Sequence, residues 1–146
     1  MTFSFALRAI VSLILLHTIL VAVNAYSFFA PLDIPMHFLG GFVMAMLGMA
    51  IHQFVIKKQK IKTIPWWYYF LFVVSFAMLI GVAWELYEFI FDHTVNLWFG
   101  WFQAQLSLVD TMGDFVMDGL GAVIAFALFQ KWPWQHKKNS SIKKSS

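Results

Sequence analysis

Asp33, Glu85, Glu88, Asp92, Asp110, Asp114 and Asp118 are all the acidic residues of this chain, and each lies within or at the edge of a long apolar run, away from the ten Lys and Arg. An ionised carboxylate at mid-bilayer depth costs about 2.5–3.5 kcal/mol on the mildest scale, so groups placed there have a partner or a task. Their spacing is regular. Gly81, Glu85, Glu88 and Asp92 recur at steps of four, three and four, which is one face of a helix. Asp110, Asp114 and Asp118 stand at i, i+4 and i+8, and His37 lies one turn beyond Asp33.

Asp33, His37, Glu85, Glu88, Asp110, Asp114 and Asp118 therefore form the candidate ligand set for a divalent metal ion. A mixture of carboxylate oxygen and imidazole nitrogen suits magnesium, manganese, zinc or iron better than soft copper. Water-filled space, shared protons or a cationic substrate are the competing ways to offset so much negative charge. If the site is catalytic, a metal polarises a phosphoryl or carbonyl oxygen or activates water, and His37 and Glu88 are the candidates to move the proton. Some of these residues also have structural readings. Asp33, followed by Pro35, is a good helix N-cap, and Asp92 and Asp110 stand where a solvated helix end accounts for them. His17 lies in an apolar stretch without an acid, where a lone histidine bonds a neighbouring helix.

The elements that must position these groups are membrane spans. With 61% hydrophobic and 12% charged residues, the 146-residue chain is too apolar for an ordinary soluble domain. Ala9 to Ala30, Ile34 to Ile56 and Pro65 to Trp84 contain no Asp, Glu, Lys or Arg, and each can supply the roughly 20 residues of a spanning helix. The uncharged stretch Gly119 to Gln130 is too short to cross unless Asp114 and Asp118 enter the membrane with it. The reading is an all-α polytopic membrane protein. Its four transmembrane helices run over about 9–30, 34–56, 65–91 and 110–130, forming one domain over 1–131, with a disordered basic tail over 132–146. The first apolar stretch is read as an uncleaved anchor rather than a signal peptide. Thr94 to Val109, rich in Trp and Phe, is read as an interfacial helix or re-entrant segment between the third and fourth helices.

Arg8, the Lys57–Lys62 loop and the lysine-rich tail all fall on one side of such a bundle, which the positive-inside tendency makes cytoplasmic, together with both chain ends. All seven acids then fall in the outer half. They make a polar funnel in which Asp118 lies roughly 12 Å below Asp110. Gly40, Gly41, Ala45 and Gly48, and Gly121, Ala122 and Ala125, form small-residue strips that let helices approach closely. Trp66, Trp67, Tyr68 and Tyr69 at one helix end, with Trp132 and Trp134 at another, fit a headgroup belt. The lysines flank membrane spans, so the positive charge points to anionic lipid and not to nucleic acid. The absence of cysteine rules out disulfide, thiol and thiolate-metal chemistry.

The segments Asp33-Ile34-Pro35-Met36-His37, Glu85-Leu86-Tyr87-Glu88 and Asp110-Thr111-Met112-Gly113-Asp114 resemble the YjdF-like group of small bacterial inner-membrane proteins and, at greater distance, the VanZ-like family. The resemblance implies shared motif positions at Asp33, His37, Glu85, Glu88, Asp110 and Asp114. Asp118 departs from both patterns, and Glu88 stands where VanZ-like proteins tend to have Gln. The VanZ-like family is associated with glycopeptide resistance at the cell envelope.

The expectation is a multi-pass protein of the bacterial plasma membrane with an outward-facing acidic and histidine site, metal-binding, acting on a lipid or lipid-linked envelope molecule. A proton- or cation-coupled transporter and a non-catalytic accessory subunit that receives a partner protein are the alternatives. Against transport, only His17, His52 and Gln53 offer polar atoms toward the inner side.

Overall fold

The structure is a computed structural model that describes residues 2–61, 63–100, 103–105 and 107–130. Among these residues there is no strand, and four helices are long and apolar enough to cross a membrane. The first, α1, covers Phe3–Ala22. It begins and ends earlier than the 9–30 read from the charge gaps, and Arg8 lies inside it. Twenty residues already span about 30 Å, and the chain breaks at Asn24, which adopts the left-handed conformation (φ 56°) that short polar side chains tolerate. A short helix α2 (Ala25–Phe28) and a 3-10 turn (Ala30–Leu32) then lead into α3 (Asp33–Lys58).

Asp33 does not act as the expected N-cap. The 3-10 turn runs into the helix with Leu32 already in right-handed helical geometry, so Leu32 holds the cap position and no side chain caps the helix. Asp33 instead occupies the first turn, where its carboxylate suits the helix dipole. The third span, α4, covers Trp66–Phe91 and opens on Pro65 at its N-cap. It passes without a break into one π-helical turn (Asp92–Asn96) and a last turn α5 (Leu97–Phe99), closed by Gly100 at φ 64°. The fourth span, α6 (Leu108–Phe129), starts at Ser107, whose Oγ accepts the Asp110 backbone N–H at 3.1 Å. The segment read as interfacial or re-entrant is thus a π turn, a single helical turn and an extended loop. The basic tail over 132–146, with Trp132 and Trp134, lies outside the described residues.

Lipid tails are as apolar as leucine, so membrane helices associate through close packing rather than hydrophobic burial. Here α3 is central: it packs on α6, α4 and α1, most extensively on α6. The reason is steric. A Cβ at Gly41 would run into the backbone of Asp118, and one at Gly121 into the Phe38 carbonyl of α3. Gly48 leaves 3.0 Å between where its Cβ would stand and the Phe76 ring of α4. The small-residue strips read from the sequence are these contacts. Below them lies a core that includes Ala45, Met49, Val73, Ala122 and Phe126. At the far end of the bundle His52 stacks on Tyr69 with ring centroids 4.3 Å apart. Helix α1 differs: Ala6 is its one buried residue, and it rests chiefly on α3.

Candidate functional site

His37 is the hub. It is 4% exposed, and its ring faces carboxylates from all three core helices. Nε2 stands 3.7 Å from Asp33 Oδ1, 3.7 Å from Glu85 Oε1 and 3.9 Å from Asp114 Oδ1, while Nδ1 stands 3.5 Å from Asp118 Oδ2. Asp33 reaches it as an i, i+4 neighbour on α3, Glu85 from the end of α4, and Asp114 and Asp118 from the first half of α6. Glu85, Glu88, Asp114 and Asp118 are all buried. Neither His37 Nε2 nor Glu85 Oε1 has a hydrogen-bond partner among the described residues. A buried polar atom left so costs about 1–3 kcal/mol.

The gaps fit a shared ion. Two ligands that each stand about 2.0–2.2 Å from one metal lie between about 3 Å (at right angles) and 4.4 Å (opposed) apart, and the three Nε2 separations fall inside that range. Two groups can converge in this way: Asp33, His37 and Asp114, and His37, Glu85 and Glu88. Both use His37. Asp118 is in neither. It contacts the other ring nitrogen, where a carboxylate orients an imidazole. Its place depends on a glycine of α4, because a Cβ at Gly81 would overlap the Asp118 carboxylate. Asp110 is half-buried in the first turn of α6, outside both converging groups.

Several neighbours were not assigned from the sequence. Trp84 Nε1 donates to Glu88 Oε1 at 2.8 Å, an i, i+4 pair that helical spacing allows but that an indole in an apolar run does not announce. Asp92, read as a solvated helix end, instead accepts the backbone N–H groups of Ala104 at 2.9 Å and Gln105 at 2.8 Å. This grip folds the loop back over the site. Gln105 Nε2 then donates to Glu85 Oε2 at 3.3 Å and to Thr111 Oγ1 at 3.0 Å. Of the polar residues in that loop, Gln105 is the one that reaches an acid, and its sequence position alone does not distinguish it from Gln103.

His17 also belongs to this neighbourhood, although no acid shares its helix. Its Nδ1 pairs with the Tyr26 hydroxyl at 2.9 Å, and its ring meets Trp84 edge-on at 5.2 Å. Burial, and then the nearby Asp33 and Glu88 carboxylates, push the Tyr26 phenol up to about 12. Beside this polar group opens a cavity of about 290 Å³ between α1, α3 and α4. His17, Asp33, His37 and Asp118 supply its polar lining, and the rest is apolar.

Residues 2–135 match the family model described as "Predicted membrane protein (DUF2238)". No curated protein and no solved structure matches the chain.

Proposed function

Since this chain belongs to the DUF2238 family of predicted membrane proteins, we propose that it is an envelope protein of the bacterial plasma membrane that binds a divalent metal at His37 and acts on a lipid or lipid-linked molecule. The single observation that supports this is the unpartnered, buried Nε2 of His37 amid three carboxylate oxygens at ligand-sharing distances. The charge balance favours it too: seven acids and no Lys or Arg stand at this end of the bundle, and a divalent cation offsets that excess.

In this reading Asp33, His37, Glu85 and Asp114 hold the ion, which is magnesium, manganese, zinc or iron by donor type. When bound, it supplies Lewis acidity toward a phosphoryl or carbonyl oxygen. Asp118 fixes the ring of His37, and Glu88, oriented by Trp84, stands beside the ion as the group to take or give a proton. Both chain ends are cytoplasmic and the site opens outward, following the lysines of 57–62 and of the tail. Kinship with YjdF-like and, more distantly, VanZ-like proteins is part of the proposal, supported by the motif residues Asp33, His37, Glu85 and Asp114 that converge.

The test is elemental analysis of detergent-purified protein beside His37→Ala, Glu85→Gln and Asp114→Asn, with helicity measured on each. Stoichiometric metal in the wild type that is lost from folded variants is the expected result. A metal-free wild type that moves protons or cations across liposomes overturns the proposal in favour of transport. A metal-free, inactive protein whose acid variants unfold overturns it in favour of an accessory role.

A further inference from the structure

Resting on that reading, we infer that the cavity between α1, α3 and α4 takes one acyl chain of a membrane lipid, so that the head of that lipid is presented to the His37 cluster. The cavity is amphiphilic along its length. Ile10, Leu13 and Ile14 of α1 face Met44 of α3 and Ala77 and Ile80 of α4 across its apolar part. His17, Asp33, His37 and Asp118 line its other part, and three of these four are the metal cluster itself or its support. A ligand that fills it therefore has a hydrocarbon stem and a polar end at His37.

Size and surroundings select the stem. A cavity of 150 Å³ holds one benzene ring, so about 290 Å³ holds on the order of a dozen carbon atoms, the upper part of a single acyl chain. Water is a poor filler for the apolar part, because each molecule there needs two to four polar partners that Ile, Leu, Met and Ala do not offer. In a bilayer the surrounding solvent is acyl chain. The α1 wall is the one through which it enters: α1 buries only Ala6, rests chiefly on α3, and meets α4 at the polar end through the His17 and Trp84 rings.

The experiment uses the full chain in nanodiscs of phosphatidylglycerol that carry a mid-chain diazirine on one acyl tail. After photolysis, adducts are mapped by mass spectrometry and metal is measured on the same sample. The expected result is labelling of Ala77 and Met44 as well as of the exposed Leu79, with Ala77→Phe and, separately, Leu13→Trp each removing the Met44 adduct at least fivefold while leaving Leu79 labelled and metal retained. Ala77 is 1% exposed and Leu79 is 65% exposed on the same helix, so the pair separates a chain in the cavity from lipid at the protein surface. Labelling confined to Leu79 and other exposed residues, with metal present, overturns this inference and leaves the metal reading standing. Labelling of Ala77 and Met44 in a metal-free protein sinks the metal reading and keeps the acyl-chain site. Adducts at Met44 undiminished in both filled variants also overturn the inference.

Discussion

Replacing Gly121 by Ala should unfold this bundle more readily, whereas the same change at Gly113, two turns earlier on the same helix, should not. At Gly113 an added Cβ meets nothing within 4 Å, so Gly113→Ala carries only the helix-propensity gain of about 0.5–1 kcal/mol. At Gly121 the Cβ would overlap the Phe38 carbonyl oxygen and stand 2.8 Å from the Phe42 nitrogen, both backbone atoms of α3. Backbone cannot rotate aside as a side chain does, so α3 and α6 must separate. Overpacking by one methyl costs about 1–3 kcal/mol, and contact with backbone places it at the upper end. Subtracting the same propensity gain leaves a net loss of about 2 kcal/mol, and the gap between the two variants is about 3 kcal/mol, more than a hundredfold in the folded-to-unfolded ratio. Equilibrium unfolding by sodium dodecyl sulfate in mixed micelles, followed by far-ultraviolet circular dichroism, measures both variants against wild type. Equal stabilities for Gly113→Ala and Gly121→Ala would refute the backbone contact between α3 and α6, and with it the argument that this contact holds His37 and Asp114 at a fixed separation.

Trp84→Phe removes the donor to Glu88 Oε1 while keeping most of the ring volume, and metal affinity should fall about 10- to 100-fold, the usual cost of losing an orienting partner; an unchanged titration counts against a role for Glu88 at the ion. Asp92→Ala releases two backbone N–H groups that now meet a carboxylate, so amide exchange at Ala104 and Gln105 should accelerate at least tenfold, and unchanged protection would show that the loop is held by something else. In alkali, Tyr26 should ionise only near pH 12, seen as the late step at 295 nm that Tyr26→Phe removes. Its folded value lies above the ordinary 10, so its share of stability is intact below pH 10 and lost as pH climbs from 10 to 12; a Tyr26 step near 10 would contradict its burial beside Asp33 and Glu88.

The spans and the convergence of acids were legible because both rest on periodicity. A carboxylate every three or four residues of an apolar helix can face only one way, and the placement of His37, Glu85 and Asp114 around one point follows from three such faces meeting. What local sequence does not carry are contacts set by termini. Leu32 rather than Asp33 occupies the N-cap because a 3-10 turn precedes α3, and no residue pattern distinguishes that turn from the continuous helix expected over 9–30. Asp92 became a loop anchor and not a solvated end because the chain doubles back twelve residues later, a nonlocal event. His17 was discounted for want of an acid on its own helix, yet its partner Tyr26 arrives by the turn at Asn24.

The π turn at Asp92–Asn96 makes the covering of the site depend on chain length more than on composition. A π turn takes up one residue beyond the α-helical count, so deleting a single residue there would return the helix to its ordinary pitch and rotate everything after it by about 100°. Leu97, Trp98 and Phe99, now the outermost residues of that end, would swing to another side, and the return path that delivers Gln105 to Glu85 would start from the wrong bearing. Relatives that keep every acid but lose one residue in this turn would have the same ligands beneath a differently hung cover.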